Sequence, residues 1–142
     1  MRSARVFLAV MAGVTGCYAL AFLARPDLLG RLVELDYRGP NASAEVRAFY
    51  GGLELGLALF FLWAALHPPV VRTALVCFAL CFGCAGAARA WGLAEFGFSG
   101  PTQPAATAVE LVTAGLAVWL TWRLPPGSAE PNAAPDRASR IS

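Results

Sequence analysis

Arg47, Glu54, Arg89 and Glu110 are charged side chains standing within or at the ends of long apolar runs. At the centre of a membrane-spanning helix a charge costs about 2.5 to 3.5 kcal/mol on insertion scales, so each of them calls for a partner. On an α-helix Arg47, Tyr50 and Glu54 fall at i, i+3 and i+7, along one face, and the Arg47 guanidinium is expected to reach inward toward the carboxylate. Glu110 is expected to meet Arg89 in the same polar layer. Such a layer supports two kinds of chemistry. It can be a set of ion pairs tying helices together, arginine being suited because its rigid fork bonds a carboxylate bidentately. Alternatively it is a polar pocket open toward one membrane face, in which one carboxylate binds or transfers a proton and the arginines hold an anionic or polar headgroup.

Other reactive residue types offer less. Cys77, Cys81 and Cys84 at i, i+4 and i+7 share a helix face, but no histidine or fourth thiol is placed near them in the sequence, so core packing is expected and no metal site. Cys17 lies in another apolar run, and none of these cysteines suggests a disulfide framework. His67 beside Pro68-Pro69 reads as a solvated turn residue. No glycine-rich phosphate loop and no nucleophile motif is found, and no cofactor is expected. All eleven basic residues are arginines spread along the chain without a stripe or block, which excludes a nucleic-acid partner.

The elements that position these residues follow from composition. Of 142 residues, 58% are hydrophobic and 14% charged, against the roughly 25% charge a water-facing globular surface uses. The apolar residues gather in uninterrupted runs, so the lipid bilayer is the solvent and the fold is all-α, a four-helix transmembrane bundle over residues 1–123. Spanning helices are expected at about 6–24, 44–66, 70–91 and 105–122. The first run also resembles a signal peptide, but exceeds the usual apolar region of about 7 to 15 residues. Arg25-Pro26 closes it. Residues 27–37 place Leu28, Leu29, Leu32, Val33 and Leu35 at helical spacing, which predicts a short interfacial helix ended by Gly39-Pro40. Ser43 is expected to cap the second span, with Glu45 in its first turn. His67-Pro68-Pro69 forces a turn, Thr102 and Pro104 suit a helix start, and Trp119, Trp122 and Arg123 suit a bilayer interface. Residues 124–142, rich in Pro, Ala and Asn, are expected to be disordered.

Between helices in lipid the apolar effect gives no preference over the solvent, so small residues must allow close backbone approach. Stripes of them appear at Ala9, Gly13 and Cys17, at Gly51, Gly52 and Gly56, at Ala79, Gly83 and Ala87, and at Ala106, Ala114 and Ala117. Gly52 and Gly56 equally suit a homodimer seam.

The stretch Glu45-Val46-Arg47-Ala48-Phe49-Tyr50-Gly51-Gly52-Leu53-Glu54-Leu55-Gly56-Leu57, with Ala88-Arg89 before a loop and Glu110-Leu111-Val112 in the last helix, resembles a small bacterial four-helix membrane family, domain of unknown function 4345. The resemblance spans roughly residues 6–123 and implies a four-helix bundle with Arg47, Arg89 and Glu110 as shared polar positions; it implies no activity. The chain departs from the family after Arg89, where Ala90-Trp91-Gly92 stands in place of a serine and a short Asp-Gly turn.

The functional expectation is a multi-pass inner-membrane binding or accessory protein centred on Arg47, Tyr50, Glu54, Arg89 and Glu110, with the bilayer and a second copy or another membrane protein as partners. Enzymatic activity is not the preferred reading. The alternatives are an intramembrane enzyme using Glu54 and Glu110 as acid and base on a lipid-soluble substrate, a small oligomeric transporter, and a purely structural subunit. Arginines divide almost evenly between the two faces, so the positive-inside rule scarcely chooses an orientation; both termini are assigned to the cytoplasm.

Overall fold

A computed structural model describes residues 1–33 and 39–125. The remainder of the expected interfacial helix and nearly all of the expected disordered tail lie outside these residues. Four helical spans, Arg2–Ala24, Asn41–Leu66, Pro68–Phe96 and Thr102–Arg123, are long and apolar enough to cross a bilayer, and no strand occurs among the described residues. The chain is a multi-pass membrane protein.

Helix α1 (Arg2–Ala24) stops where Pro26 forces Arg25 into an extended conformation, φ −134° and ψ 74°. Helix α2 (Asp27–Val33) starts directly after it. Its first residue, Asp27, is gripped by Arg25 at 3.1 and 3.2 Å and by Arg31 one turn on at 3.4 Å. The hydrogen bonds from Arg25 hold the Asp27 carboxyl below the usual carboxylate range.

The second span has three parts: α3 (Pro40–Val46), a π-helical segment (Arg47–Leu53) and α4 (Glu54–Leu66). It begins earlier than expected. Gly39, at φ 95°, turns the chain in the left-handed region, and Pro40 enters the first turn with its φ already set. Ser43 is therefore inside the helix and does not cap it. A short 3₁₀ turn, Pro68–Val70, leads into α5 (Val71–Phe96). This helix continues past its expected end near Trp91, because Leu93, Ala94 and Glu95 are good helix formers, and it stops at Gly97 with φ 76°. Helix α6 (Thr102–Arg123) completes the bundle.

The helices associate as two close pairs, α1 with the second span and α5 with α6, and contact between the pairs is much sparser. Small residues close each pair. A Cβ on Gly51 would lie 2.7 Å from the Leu23 side chain, and one on Gly86 would meet Leu111 at 2.9 Å; Gly83 faces Ala114 and Gly16 faces Ala58. The stripes differ in part from those expected. Helix α1 buries Ala4, Leu8, Ala12, Thr15, Ala19 and Phe22, leaving Ala9, Gly13 and Cys17 on the outside. In α5 the buried small residues are Ala74 and Gly86, and Ala87 is exposed. Gly52 and Gly56 are exposed too, with open space around Gly56. Of the cysteines, Cys77 packs half-buried against the core as expected, whereas Cys17, Cys81 and Cys84 are exposed. Outward positions cost these small apolar groups nothing in lipid, so hydrophobicity alone cannot assign a face.

The two pairs are joined mainly at the end where α1 begins and α6 ends. Phe61, Phe78, Leu8, Leu75 and Val71 are fully buried there. Phe78 stacks on Phe82 at 4.3 Å and meets Phe7 edge-on at 5.2 Å, so aromatic rings bridge α1, α4 and α5.

Candidate functional site

At the opposite end no such rings fill the space, and a cavity of about 410 Å³ separates the pairs. Its walls are mostly apolar, including Val14, Phe82 and Val109, and its floor is the outer face of the aromatic stack at Phe82. Tyr18 and Thr15 of α1, Tyr50 and Glu54 of the second span, Arg89 of α5 and Glu110 of α6 face into it. The volume is that of a small-molecule site, with few polar groups in an apolar pocket. A second hollow, about 480 Å³, lies outside it under the α5–α6 loop; Leu32, Thr102 and Gln103 belong to both.

Arg89 and Glu110 form a bidentate pair, Nε to Oε2 at 3.1 Å and Nη2 to Oε1 at 2.8 Å, and Arg89 Nη1 donates to Gln103 Oε1 at 2.8 Å. The pair is largely withdrawn from the surface, with 31% of the arginine and 17% of the glutamate side chain exposed. Close approach at Gly86 makes this possible, since a Cβ there would crowd the Glu110 Cβ at 3.1 Å. Of five guanidinium N–H donors, two remain without an acceptor among the described residues.

Arg47 does not join this layer. Its Nε donates to the Leu23 carbonyl at 3.2 Å, one of the carbonyls that the end of α1 leaves without a helical partner. The reason is the π-helical segment. Spacing of i to i+5 through Arg47–Leu53 breaks the α-periodicity by which Arg47, Tyr50 and Glu54 share a face. Tyr50 and Glu54 turn into the cavity while Arg47 swings over the end of α1. Phe22 sits between the two tyrosines, 4.5 Å from Tyr18 and 6.0 Å from Tyr50, and fixes both rings edge-on.

The cavity therefore holds two carboxylates and one arginine, and the arginine is taken by Glu110. Glu54 lies within Coulombic reach of both Arg89 and Glu110 yet makes no hydrogen bond or ion pair among the described residues. The Thr15 hydroxyl, 5% exposed and facing the cavity, is also without a hydrogen-bond partner among them. Polar groups withdrawn from water normally find partners, so the buried Thr15 and the half-buried Glu54 are both open positions for one.

Thr15, Tyr18 and Gln103 were not singled out by spacing. A threonine or tyrosine within an apolar run is ordinary helix composition, and Gln103 precedes the expected fourth span. Cys77, Cys81 and Cys84 do not converge with other ligands: among the described residues no three His, Cys, Asp or Glu side chains are placed to hold one metal ion. His67 is exposed, and its Nδ1 donates to the Trp63 carbonyl at 2.7 Å, closing the end of α4.

Residues 3–121 match the family described as a domain of unknown function (DUF4345). No curated protein and no solved structure matches the chain.

Proposed function

Since the chain belongs to the DUF4345 family, a description that assigns no chemistry, we propose from the geometry of the hollow end that it is a membrane-embedded binding protein for a lipid-soluble amphiphile. The observation that carries this reading is the unmatched Glu54 carboxylate in a cavity of about 410 Å³. In an apolar surrounding a carboxylate is met by a proton or by a cationic or hydrogen-bond-donating group. A ligand with an amine or hydroxyl head satisfies Glu54 and the Thr15 hydroxyl, and its apolar body lies along Val14, Phe82 and Val109. The free N–H groups of Arg89 offer a second polar contact.

The rival roles have less support. An acid and base pair needs two carboxylates free to exchange protons, and Glu110 is held by two N–H groups of Arg89. A transport path needs access from both faces, and the aromatic stack floors the cavity. The setting proposed is the cell membrane with both termini in the cytoplasm and the cavity toward the outer face. A C-terminal reporter fusion active only outside would reverse that orientation.

The binding reading is tested by thermal unfolding in detergent with a long-chain primary amine and with the fatty acid of equal length. The amine raises the unfolding temperature of the wild type, and Glu54→Gln abolishes that rise. Equal effects of amine and acid on both proteins would overturn the reading.

A further inference from the structure

The charges of the two ends are unequal. Among the described residues the end where α1 begins and α6 ends carries Arg2, Arg5, Arg72 and Arg123 and not one carboxylate; Asp27, Glu45, Glu54, Glu95 and Glu110 all belong to the hollow half. Two of the four arginines are committed to helix ends. Arg5 Nε donates to the Ala65 carbonyl at 2.6 Å, and Arg72 Nη2 to the Leu124 carbonyl at 2.7 Å, each closing the C-terminus of the antiparallel neighbour. The other two are not. Arg2 has no partner among the described residues, and Arg123 rests over the Trp119 ring at 4.8 Å with its N–H groups lacking an acceptor there.

Arg2 lines one groove, and Arg123 adjoins it through the Trp119 ring. Between the start of α1 and the end of α6 a hollow of about 450 Å³ is walled by Val6, Phe7, Leu116 and Leu120, with Arg2 and Trp119 also lining it. It combines apolar walls at acyl-chain depth with a tryptophan and cations at the level where lipid headgroups lie. We propose that this groove is a binding site for an anionic phospholipid, one acyl chain along the α1–α6 cleft and the phosphate between Arg2 and Arg123. Charge complementarity selects this occupant. A second copy docked symmetrically by the same face would bring arginine against arginine, and a zwitterionic lipid leaves the net positive field unanswered.

The test is native mass spectrometry of the full chain released from micelles containing equimolar phosphatidylglycerol and phosphatidylcholine of matched chains. The wild type retains the glycerol lipid in preference by roughly thirtyfold, from two surface arginines at their usual worth beside an anionic bilayer. Arg2→Gln and Arg123→Gln each lower that preference about fivefold, and their combination removes it. Arg2→Lys keeps it, and so does Glu54→Gln, so a failed cavity reading leaves this one standing. Equal retention of the two lipids by the wild type, an unchanged preference in the double variant, or a lipid-free dimer would each overturn the proposal.

Discussion

The end of the bundle where α1 begins and α6 ends is filled by Phe7, Phe61, Phe78, Leu8 and Leu75, whereas the other end, built from the same helices, encloses a cavity. The contrast does not come from tighter helix pairing at one end. Gly51 against Leu23 and Gly86 against Leu111 bring the partners of each pair close at the hollow end as well. The difference is what stands between the pairs. At the filled end aromatic rings reach across, and at the hollow end the inward residues, Val14, Tyr18, Tyr50 and Val109 among them, line the cavity without closing it. Arginine does not follow that division. Arg5, Arg72 and Arg47 each close the carbonyl end of a neighbouring helix, and only Arg89 among the described span arginines is given to a carboxylate. Three of these contacts are helix-end closures; the fourth orders a wall of a pocket.

This comparison can be broken at several points. Phe78→Ala opens a void where rings from two other helices meet, and it should lower stability by about 3 kcal/mol in a detergent unfolding titration, since lost contact is not replaced by lipid. A loss below about 1 kcal/mol would mean that the filled end is not the stabilising one. Glu110→Gln keeps the shape but leaves Arg89 without its charged acceptor; a loss of about 2 kcal/mol is expected, the worth of hydrogen bonds to a charged group. Glu54→Gln should change stability by about 0.5 kcal/mol or less in either direction, because no bond is broken. A large loss there would make Glu54 a strut and remove the contrast between it and Glu110.

The smallest effect lies outside the bundle core, at the α1–α2 corner. Arg25 depresses the Asp27 carboxyl, so the pair contributes above the unfolded-state value and its contribution is lost as pH falls through the lower folded-state value. In an NMR titration of the side-chain carboxyl carbon the Asp27 midpoint should move up to the ordinary range in Arg25→Gln, with no change in overall unfolding. The side chains are well exposed, so the contribution of this pair is too small to register in overall unfolding.

Several parts of this arrangement were readable before any coordinates. The Arg89–Glu110 contact followed from two charges that lipid would not tolerate alone, one ending the third span and one inside the fourth, brought to the same side by antiparallel order. The helix at Asp27–Val33 followed from leucines at helical spacing behind Arg25-Pro26. What misled was the assumption of uniform α-periodicity. The π-helical segment over Arg47–Leu53 is marked only by the weak helix formers Gly51-Gly52, which do not specify a π-turn, and it moved Arg47 from the cavity to the end of α1. Small-residue stripes misled in a similar way, since Ala9, Gly13 and Cys17 are spaced as well as the residues that α1 does bury.

The four spans and the family are properties of the chain read locally: length and hydropathy suffice to place a helix in lipid, because every backbone hydrogen bond there is satisfied within the segment. Which charge meets which, and which is left over, is not local. It depends on the rotation of each helix about its axis and on the bulk between the pairs, and lipid favours no apolar face over another. Glu54 facing a cavity with its arginine diverted to a helix end is a consequence of packing, and no spacing in the sequence encodes it.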